Sequence, residues 1–436
     1  MKISLITVFP ELHKTFLQTS LIARACEKKL IEVNLVRFSD MCAPKERIDE
    51  PTVSHGAGMI IKPEITQKAI EQCQEKWGNG FKIFFSPQGQ KLTQPLLNKF
   101  SEKFNSQENT HLILVCSRYE GIDARVEEHY ADLVLSIGDY VVMGGDLPAQ
   151  IFLEGLLRLM PGIVGKKESV EKESFQGPVL DYPEYGLPVE WEEKKIPEIL
   201  RTGNHKEISQ WRTTQAYKKT FLSRFDWFVS SNPSTQECAL MHTLIPSHYI
   251  AIMHTDVKLK VEGVGNTSIA SLDIHDAARA SITYGIKNLF IVSPLQDQQE
   301  ILRTFLKFWG SEIGKKYNES RQQAVSCVRP VFSFQEMIET INKQENMKAP
   351  IIITTSAQNI KYGKQIDFYS QGKVWQQDRP VLFLFGTGQG LSDKILEKSD
   401  YTLLPISGLT EYNHLSVRSA ISIVLDRWLG LHSKIY

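Results

Sequence analysis

Hydrophobic positions follow two rhythms along this chain. Ile3 to Phe9 is a short continuous apolar run, and Leu12 to Lys29 carries apolar residues at helical spacing. That pattern predicts a buried β-strand followed by an amphipathic helix. Strand-like runs recur at Ile31–Phe38, Phe81–Phe85, Leu112–Cys116 and Leu133–Ile137, between helical stretches. Strands alternating with helices predict a parallel α/β sheet. Around Val170–Pro188 the chain turns polar and rich in Pro, Gly and Tyr, which predicts a long loop of the kind that usually carries function. Glu190–Arg224 reads as helical, and Ser230–Ser247 as a polar linker. A second α/β series then runs from Tyr249 to Tyr436.

The two α/β regions echo each other. KIFFSPQG, HLILVCSRYEGID and ADLVLSIGDYVVMGGDLPA in the first match PIIITTSAQ, PVLFLFGTGQGLS and SDYTLLPISGLTEYNHLSVRSA in the second. In each, one strand ends in a small polar turn and the next in a Gly-containing loop. A third leads through an irregular loop into a long apolar helix. We read this as two copies of one architecture.

Composition narrows the class. A chain of 436 residues exceeds one ordinary core, and 42% hydrophobic with 23% charged residues is a globular composition. Lys+Arg and Asp+Glu each total 50, so any nucleic-acid surface must be local. One local concentration exists: Lys194–Arg224 holds eight Lys/Arg against two Asp/Glu, with Trp211 and Tyr217 interleaved. The six cysteines are scattered without a CxxC, which fits reduced thiols, and no ligand spacing predicts a protein-held metal. The apolar run before Glu11 is too short for a signal peptide, and no later stretch is long enough to span a bilayer. A soluble, cytoplasmic protein is expected.

Three Gly-containing loops at the carboxyl ends of successive parallel strands predict a ligand pocket, because backbone N–H groups can face a ligand there. SPQG at Ser86–Gly89, SRYEGID at Ser117–Asp123 and SIGDYVVMGGDLPA at Ser136–Ala149 carry a resemblance to the bacterial tRNA (guanine-N1)-methyltransferase family. So do the opening strand ending in FPE, ESF at Glu173–Phe175 and GNHKEISQWR at Gly203–Arg212. The second half, with FGTGQGL and EYNHLSVRSA, resembles a bacterial family of uncharacterised RNA methyltransferases. Both families belong to the SPOUT superfamily, so the resemblance implies two α/β domains with deep trefoil knots and a homodimer.

The first family implies methyl transfer from S-adenosylmethionine to N1 of the guanine 3′ of the anticodon of tRNA, releasing S-adenosylhomocysteine, with magnesium as a family expectation. By residue match, the cofactor would be held by Ser86, Pro87, Gln88 and Gly89, then by Ser117, Arg118, Tyr119, Glu120 and Gly121. Ile137, Gly138, Asp139, Tyr140, Val141, Val142, Gly144, Gly145 and Leu147 would complete its site. Guanine N1 carries a proton at neutral pH, so the reaction needs a base and a donor for the charge growing towards O6. The resemblance implies Glu173 as base, Arg158 as cationic donor and Asp181 as a further functional acid. In the second half it implies Gly386, Gly388, Gly390, Ile406, Asn413, Leu415 and Ser416 around a cofactor, with Arg279 and Arg418 as candidate RNA contacts. Asn413 and Ser416 also read as helix-capping residues.

The chain departs from the family at several points. Glu173 stands where the family has Asp, Ser117 where it has Gly, and Met143 and Asp146 where it has Ser and Glu. A glycine run becomes Ser54-His55-Gly56-Ala57-Gly58-Met59, with His55 read as a loop residue. The expected organisation is a methyltransferase domain at 1–165, a flexible catalytic loop at 166–189 and a helical tRNA-binding segment at 190–229. A linker at 230–248 and a second methyltransferase-like domain at 249–436 would follow. The rear domain is expected either to methylate an RNA of its own or to act as a non-catalytic RNA-binding or dimerising module. Drift of the front domain into a non-catalytic tRNA binder is the third reading.

Overall fold

The structure, a computed structural model, describes residues 1–53, 58–106, 110–164, 173–261, 263–360 and 362–432. The chain forms two compact units, Met1–Gln176 and Gly177–Ile435.

In the front unit the strands are β1 (Lys2–Thr7), β2 (Glu32–Arg37), the hairpin β3 (Asp49–Pro51) and β4 (Met59–Ile61), β5 (Phe81–Lys91), β6 (His111–Val115) and β7 (Leu133–Ser136). The helices are α1 (Pro10–Leu17), α2 (Ser20–Glu27), α3 (Pro63–Trp77), α4 (Gln94–Asn105), α5 (Ala124–Tyr130) and α6 (Asp146–Arg158). Five strands make a parallel sheet in the order β2-β1-β6-β5-β7. Successive side chains alternate between its faces. Ile3, Leu5, Leu112 and Leu114 pack with Phe152, Leu153 and Leu156 of α6, while Ile6, Ile113 and Val115 pack with Ile65 and Ile70 of α3. Burial on both faces is what makes these strands read as continuous apolar runs. The single helix expected over Leu12–Lys29 is instead two, because Ser20 takes φ +51° and breaks the backbone ladder.

The rear unit opens with an irregular segment from residue 177 and the hairpin β8 (Glu190–Trp191) and β9 (Lys194–Lys195). The helices α7 (His205–Ser223), α8 (Phe225–Ser230) and α9 (Thr235–Leu244) follow. Its sheet uses β10 (His248–Met253), β13 (Asn288–Val292), β14 (Val328–Val331), β15 (Ile351–Thr354), β16 (Lys364–Ile366), β17 (Val381–Gly386) and β18 (Tyr401–Leu403), beside a small hairpin of β11 (Val257–Lys258) and β12 (Val264–Gly265). The helices used below are α10 (Ser271–Thr283), α11 (Gln371–Trp375) and α12 (Val417–Leu429). The strand order is β14-β13-β10-β17-β15-β18-β16, all parallel. Its inner five strands, taken in chain order, repeat the front unit's arrangement, with β14 and β16 added at the edges. Each unit is thus one copy of the same sheet.

Three expected boundaries differ. The stretch read as a linker, 230–248, holds α9, whose capping box pairs Ser234 with Glu237 and whose Met241 is buried in the rear core. The helical stretch expected from Glu190 begins as the β8–β9 hairpin and becomes an α-helix only at His205. Finally, the chain divides between Gln176 and Gly177, inside the expected 166–189 loop, so the basic helical segment belongs to the rear unit.

His248, at the start of β10, is buried between two indoles: Trp375 and Trp428 each donate Nε1–H to its Nε2, at 3.1 and 3.2 Å. Protonation there would set a third donor against two existing ones. Burial holds His248 down at about 3, and the Pro246 carbonyl only partly offsets it. His254 is likewise held down, to about 4, first by burial. Both stay neutral in the folded chain while the unfolded chain protonates them below roughly pH 6.5. The folded state therefore loses stability as pH falls from there towards 4, by about 1.4 kcal/mol per pH unit for each group. Urea melts followed by tryptophan emission should show the rear unit weakening between pH 7 and 5, with a shallower slope in His248→Gln.

Candidate cofactor and catalytic site

The three glycine-bearing loops of the front unit come together at the carboxyl ends of β5, β6 and β7. Between Phe85 and Gln90 the β5–β7 register slips, because both residues pair with Leu135, and Ser86–Gly89 loop out of the strand. Gly89 makes the slip possible: a Cβ there would lie 2.6 Å from the Val134 backbone. After β6, Tyr119 at φ +59° and Gly121 at +115° turn the second loop. The third returns onto it, with Gly145 N–H donating to Ser117 O at 2.8 Å and a Gly145 Cβ meeting Cys116 Cα at 2.9 Å.

The loops enclose a cleft of about 510 Å³. Of the expected cofactor residues, Ser86, Pro87, Gln88, Ser117, Tyr119, Glu120, Gly121, Ile137, Tyr140, Val141, Val142, Gly144 and Gly145 line it. The other five stand behind the wall or at the surface. Gly89 packs on β7, Gly138 turns the chain at φ +152°, and Asp139 pairs with Lys91 at 2.9 Å. Arg118 turns towards Asp146, and Leu147 is exposed. Sequence reasoning did not single out Phe84, Phe85, Ile122 or Glu127, which also line the cleft. Burial, then the neighbouring Glu128, raises the Glu127 carboxyl above its ordinary range. The altered loop at Ser54–Ala57, with His55, lies outside the described residues.

Behind the third loop, Asp146 is fully buried at the first position of α6. It accepts from Thr7 Oγ1 at 2.5 Å, His13 Nε2 at 3.0 Å and Arg118 Nε at 2.9 Å. Burial alone would raise its carboxyl. The His13 and Thr7 hydrogen bonds, with the charges of His13 and Arg118, outweigh that and hold it below the ordinary range. Arg118 lies 4.9 Å above the Phe9 ring and also reaches Met143 O, so the network ties the third loop to β1 and β6. His13, Cys116 and Asp146 lie close enough to share a cation. However, Asp146 is already satisfied, Arg118 supplies the positive charge, and burial pushes the Cys116 thiol well up.

Arg158, at the far end of α6, pairs with Glu173. Gln176, which Asn98 of α4 holds at 2.9 Å, donates its backbone N–H to Glu173 O at 3.2 Å. Base and donor candidates are thus brought together. Asp181 belongs to the rear unit, where its carboxylate accepts the Tyr182 N–H at 2.9 Å beside Leu180, itself bonded to Thr220 of α7. Glu168 and Glu171, the acidic neighbours of Glu173 along the chain, lie outside the described residues.

In the rear unit the matching loops leave β15, β17 and β18. Gly388 and Gly390 take φ of +62° and +101°, and a Cβ on Gly386 would meet Leu391 N at 2.5 Å. Asn413 Nδ2 donates to Ala357 O at 2.7 Å, joining the loop after β18 to the loop after β15. Ser416 caps α12 by accepting from Ser419 N, Ile406 packs on the core, and Leu415 is largely exposed. Arg418 pairs with Asp273 and Asp276 of α10, at 2.8 and 3.4 Å, while Arg279 on the same helix is exposed.

Residues 1–230 match the family described as tRNA (Guanine-1)-methyltransferase TrmD, and residues 247–430 match one described as SAM-dependent RNA methyltransferase. The chain is 33% identical to a tRNA (guanine-N(1)-)-methyltransferase of Nitratidesulfovibrio vulgaris over 436 residues, which is 99% of each chain. It is 34% identical to that of Oleidesulfovibrio alaskensis, again over 99% of each. A relative of the same description from Dictyoglomus turgidum is 36% identical over 245 residues, 56% of this chain and 96% of its own length.

Proposed function

The chain belongs to the tRNA (guanine-1)-methyltransferase family, with a SAM-dependent RNA methyltransferase domain behind it, and we propose that its front unit methylates N1 of the guanine 3′ of the anticodon. The observation that carries this reading is the convergence of three glycine-bearing loops in one cleft, from which α6 leads to the Arg158–Glu173 pair. The residues fit S-adenosylmethionine. Glycines at 121, 144 and 145 leave part of the wall without side chains, and a Cβ at 144 or 145 would strike Ser117 or Cys116. Ser86–Gln88, Tyr119–Gly121 and Tyr140–Val142 would hold it, and when bound it supplies an activated methyl group. Glu173 takes the proton from guanine N1. Arg158, released from that carboxylate, faces the charge growing on O6. Asp181 serves as a further acid on the RNA-binding segment.

The return of the third loop onto the second supports a trefoil knot in this unit, and the repeated sheet supports another in the rear. A homodimer completes the site. Arg158 and Asp146 stand at opposite ends of α6, about 18 Å apart along its axis, so the pair reaches the donor cleft of a second copy more readily than its own. Leu12 of α1, Leu147 and Ile151 of α6 and Met143 of the loop before α6 are 44%, 54%, 47% and 86% exposed, apolar side chains suited to that copy. The exposed Lys206, Lys218 and Lys219 of α7 track the tRNA backbone. Among the described residues no helix is long and apolar enough to cross a membrane, and a tRNA substrate supports a cytoplasmic location. The converging loops of the rear unit support a second RNA methyl transfer, against the alternative of a non-catalytic binding module.

Incubation with S-adenosylmethionine and unmodified tRNA, followed by nucleoside mass spectrometry, tests the assignment. 1-Methylguanosine should form with guanine 3′ of the anticodon and vanish when adenine replaces it. A chelator arm tests the magnesium expectation. Product at another nucleoside would transfer the activity to the rear unit, and no product at all would support the drifted, non-catalytic reading.

A further inference from the structure

The family match and the structure divide this chain at different places. The match to the guanine-1 family runs to residue 230, yet the compact front unit ends at Gln176. Between them lie α7 and α8, the basic segment read as the tRNA contact. Its apolar face is built into the rear core: Tyr217, Phe221, Phe228 and Val229 are buried in one cluster with Ile250, Ile252, Trp375 and Trp428. The seam is tight. A Cβ on Gly372 would stand 2.1 Å from the Leu222 carbonyl in the last turn of α7, and the Trp375 ring meets Phe225 edge-on at 4.8 Å and Phe221 at 6.0 Å. His432 N–H bonds to Val229 O at 2.8 Å, and Trp227 Nε1 to Gly177 O at 2.9 Å, so both chain ends of the unit close on the same helices.

We propose that the rear unit is the scaffold of the tRNA-binding helix, so that Gly372 and Trp375 are positioning residues for methyl transfer by the front unit. Two helices that bury Tyr217 and Phe221 of α7 and Phe228 and Val229 of α8 in the rear core cannot keep their place without that core. The exposed lysines of α7 hold the tRNA backbone in register only while the buried face is seated. The front reaction in this chain therefore depends on a domain that its shorter relative, matched over 96% of its length by about half of this chain, lacks. The proposal rests on α7 contacting tRNA, and the experiment separates the two.

Full-length Gly372→Val, Trp375→Ala, Trp375→Phe and Lys218→Ala/Lys219→Ala are compared in the guanine methylation assay, with the exposed Met347→Ala as a control. The wedge at 372 and the loss of the indole should each raise KM for tRNA tenfold or more while leaving KM for S-adenosylmethionine unchanged. Trp375→Phe, which keeps a ring against Phe225, should recover most of the loss. A rear unit that unfolds in Trp375→Ala should give the same split between the two KM values. If the lysine pair raises KM for tRNA while the 372 and 375 changes leave it alone, folded or not, the scaffold proposal is overturned. An unchanged KM in the lysine variant would instead remove the premise that α7 binds tRNA.

Discussion

Glu173→Ala should lower kcat for guanine methylation by about a hundred- to ten-thousand-fold, the usual range for losing a general base, with little change in S-adenosylmethionine affinity. The expectation follows from where Glu173 stands. It pairs with Arg158 at the end of α6, away from the glycine loops that would hold the methyl donor. Removing the carboxylate leaves those loops intact and takes away the acceptor for the guanine N1 proton. Glu173→Gln should fall as far, because an amide of the same size cannot take that proton, whereas Glu173→Asp keeps the base on a shorter arm and should retain most of the rate. Stopped-flow methyl transfer with isothermal titration of the donor separates the effects. A kcat within about threefold of the parent in both Ala and Gln would remove Glu173 from the base role.

What could be read from the sequence was what local patterns encode. The buried strands announce themselves as apolar runs because both faces of each sheet are covered, and the glycine loops fall at their carboxyl ends because tight returns over a neighbouring backbone admit no Cβ at 89, 144 or 145. The shared strand order made the internal echo legible. Allegiance over long range was not. Nothing near Phe221 in the sequence says that its partner is Trp375, so the helical segment at 190–229 reads as a separate piece between the two domains. The capping box at Ser234–Glu237 was a readable S-x-x-E start signal, yet the polar residues around Pro233 masked it as a linker. In the sequence Asp146 reads only as a departure from the family's Glu in the third loop. Its meaning depends on His13 and Thr7, which lie 133 and 139 positions away.

Asp146→Ala should be the most damaging single change to the front unit's stability, costing about 3 to 5 kcal/mol. Its carboxylate is the common acceptor for Thr7, His13 and Arg118 in a place with no exposure to water. Alanine would leave a buried hydroxyl and imidazole without their acceptor and a mostly buried guanidinium without its counter-charge, and it would open a void beside Cys116. The damage should reach function, because Arg118 also holds Met143 O and the loop it pins carries Gly144 and Gly145 into the cleft. Donor affinity should therefore fall together with stability. Asp146→Asn provides the contrast: it keeps the volume but replaces one acceptor oxygen with a donor, so it should lie between the parent and Ala. Urea melts read by Trp77, the tryptophan on α3 of the front unit, measure the first quantity, and donor titration measures the second. The rear tryptophans should melt as in the parent protein. Parental stability in Asp146→Ala would mean that water or a rearranged Arg118 satisfies the network without the carboxylate, and the pinning role would have to be given up.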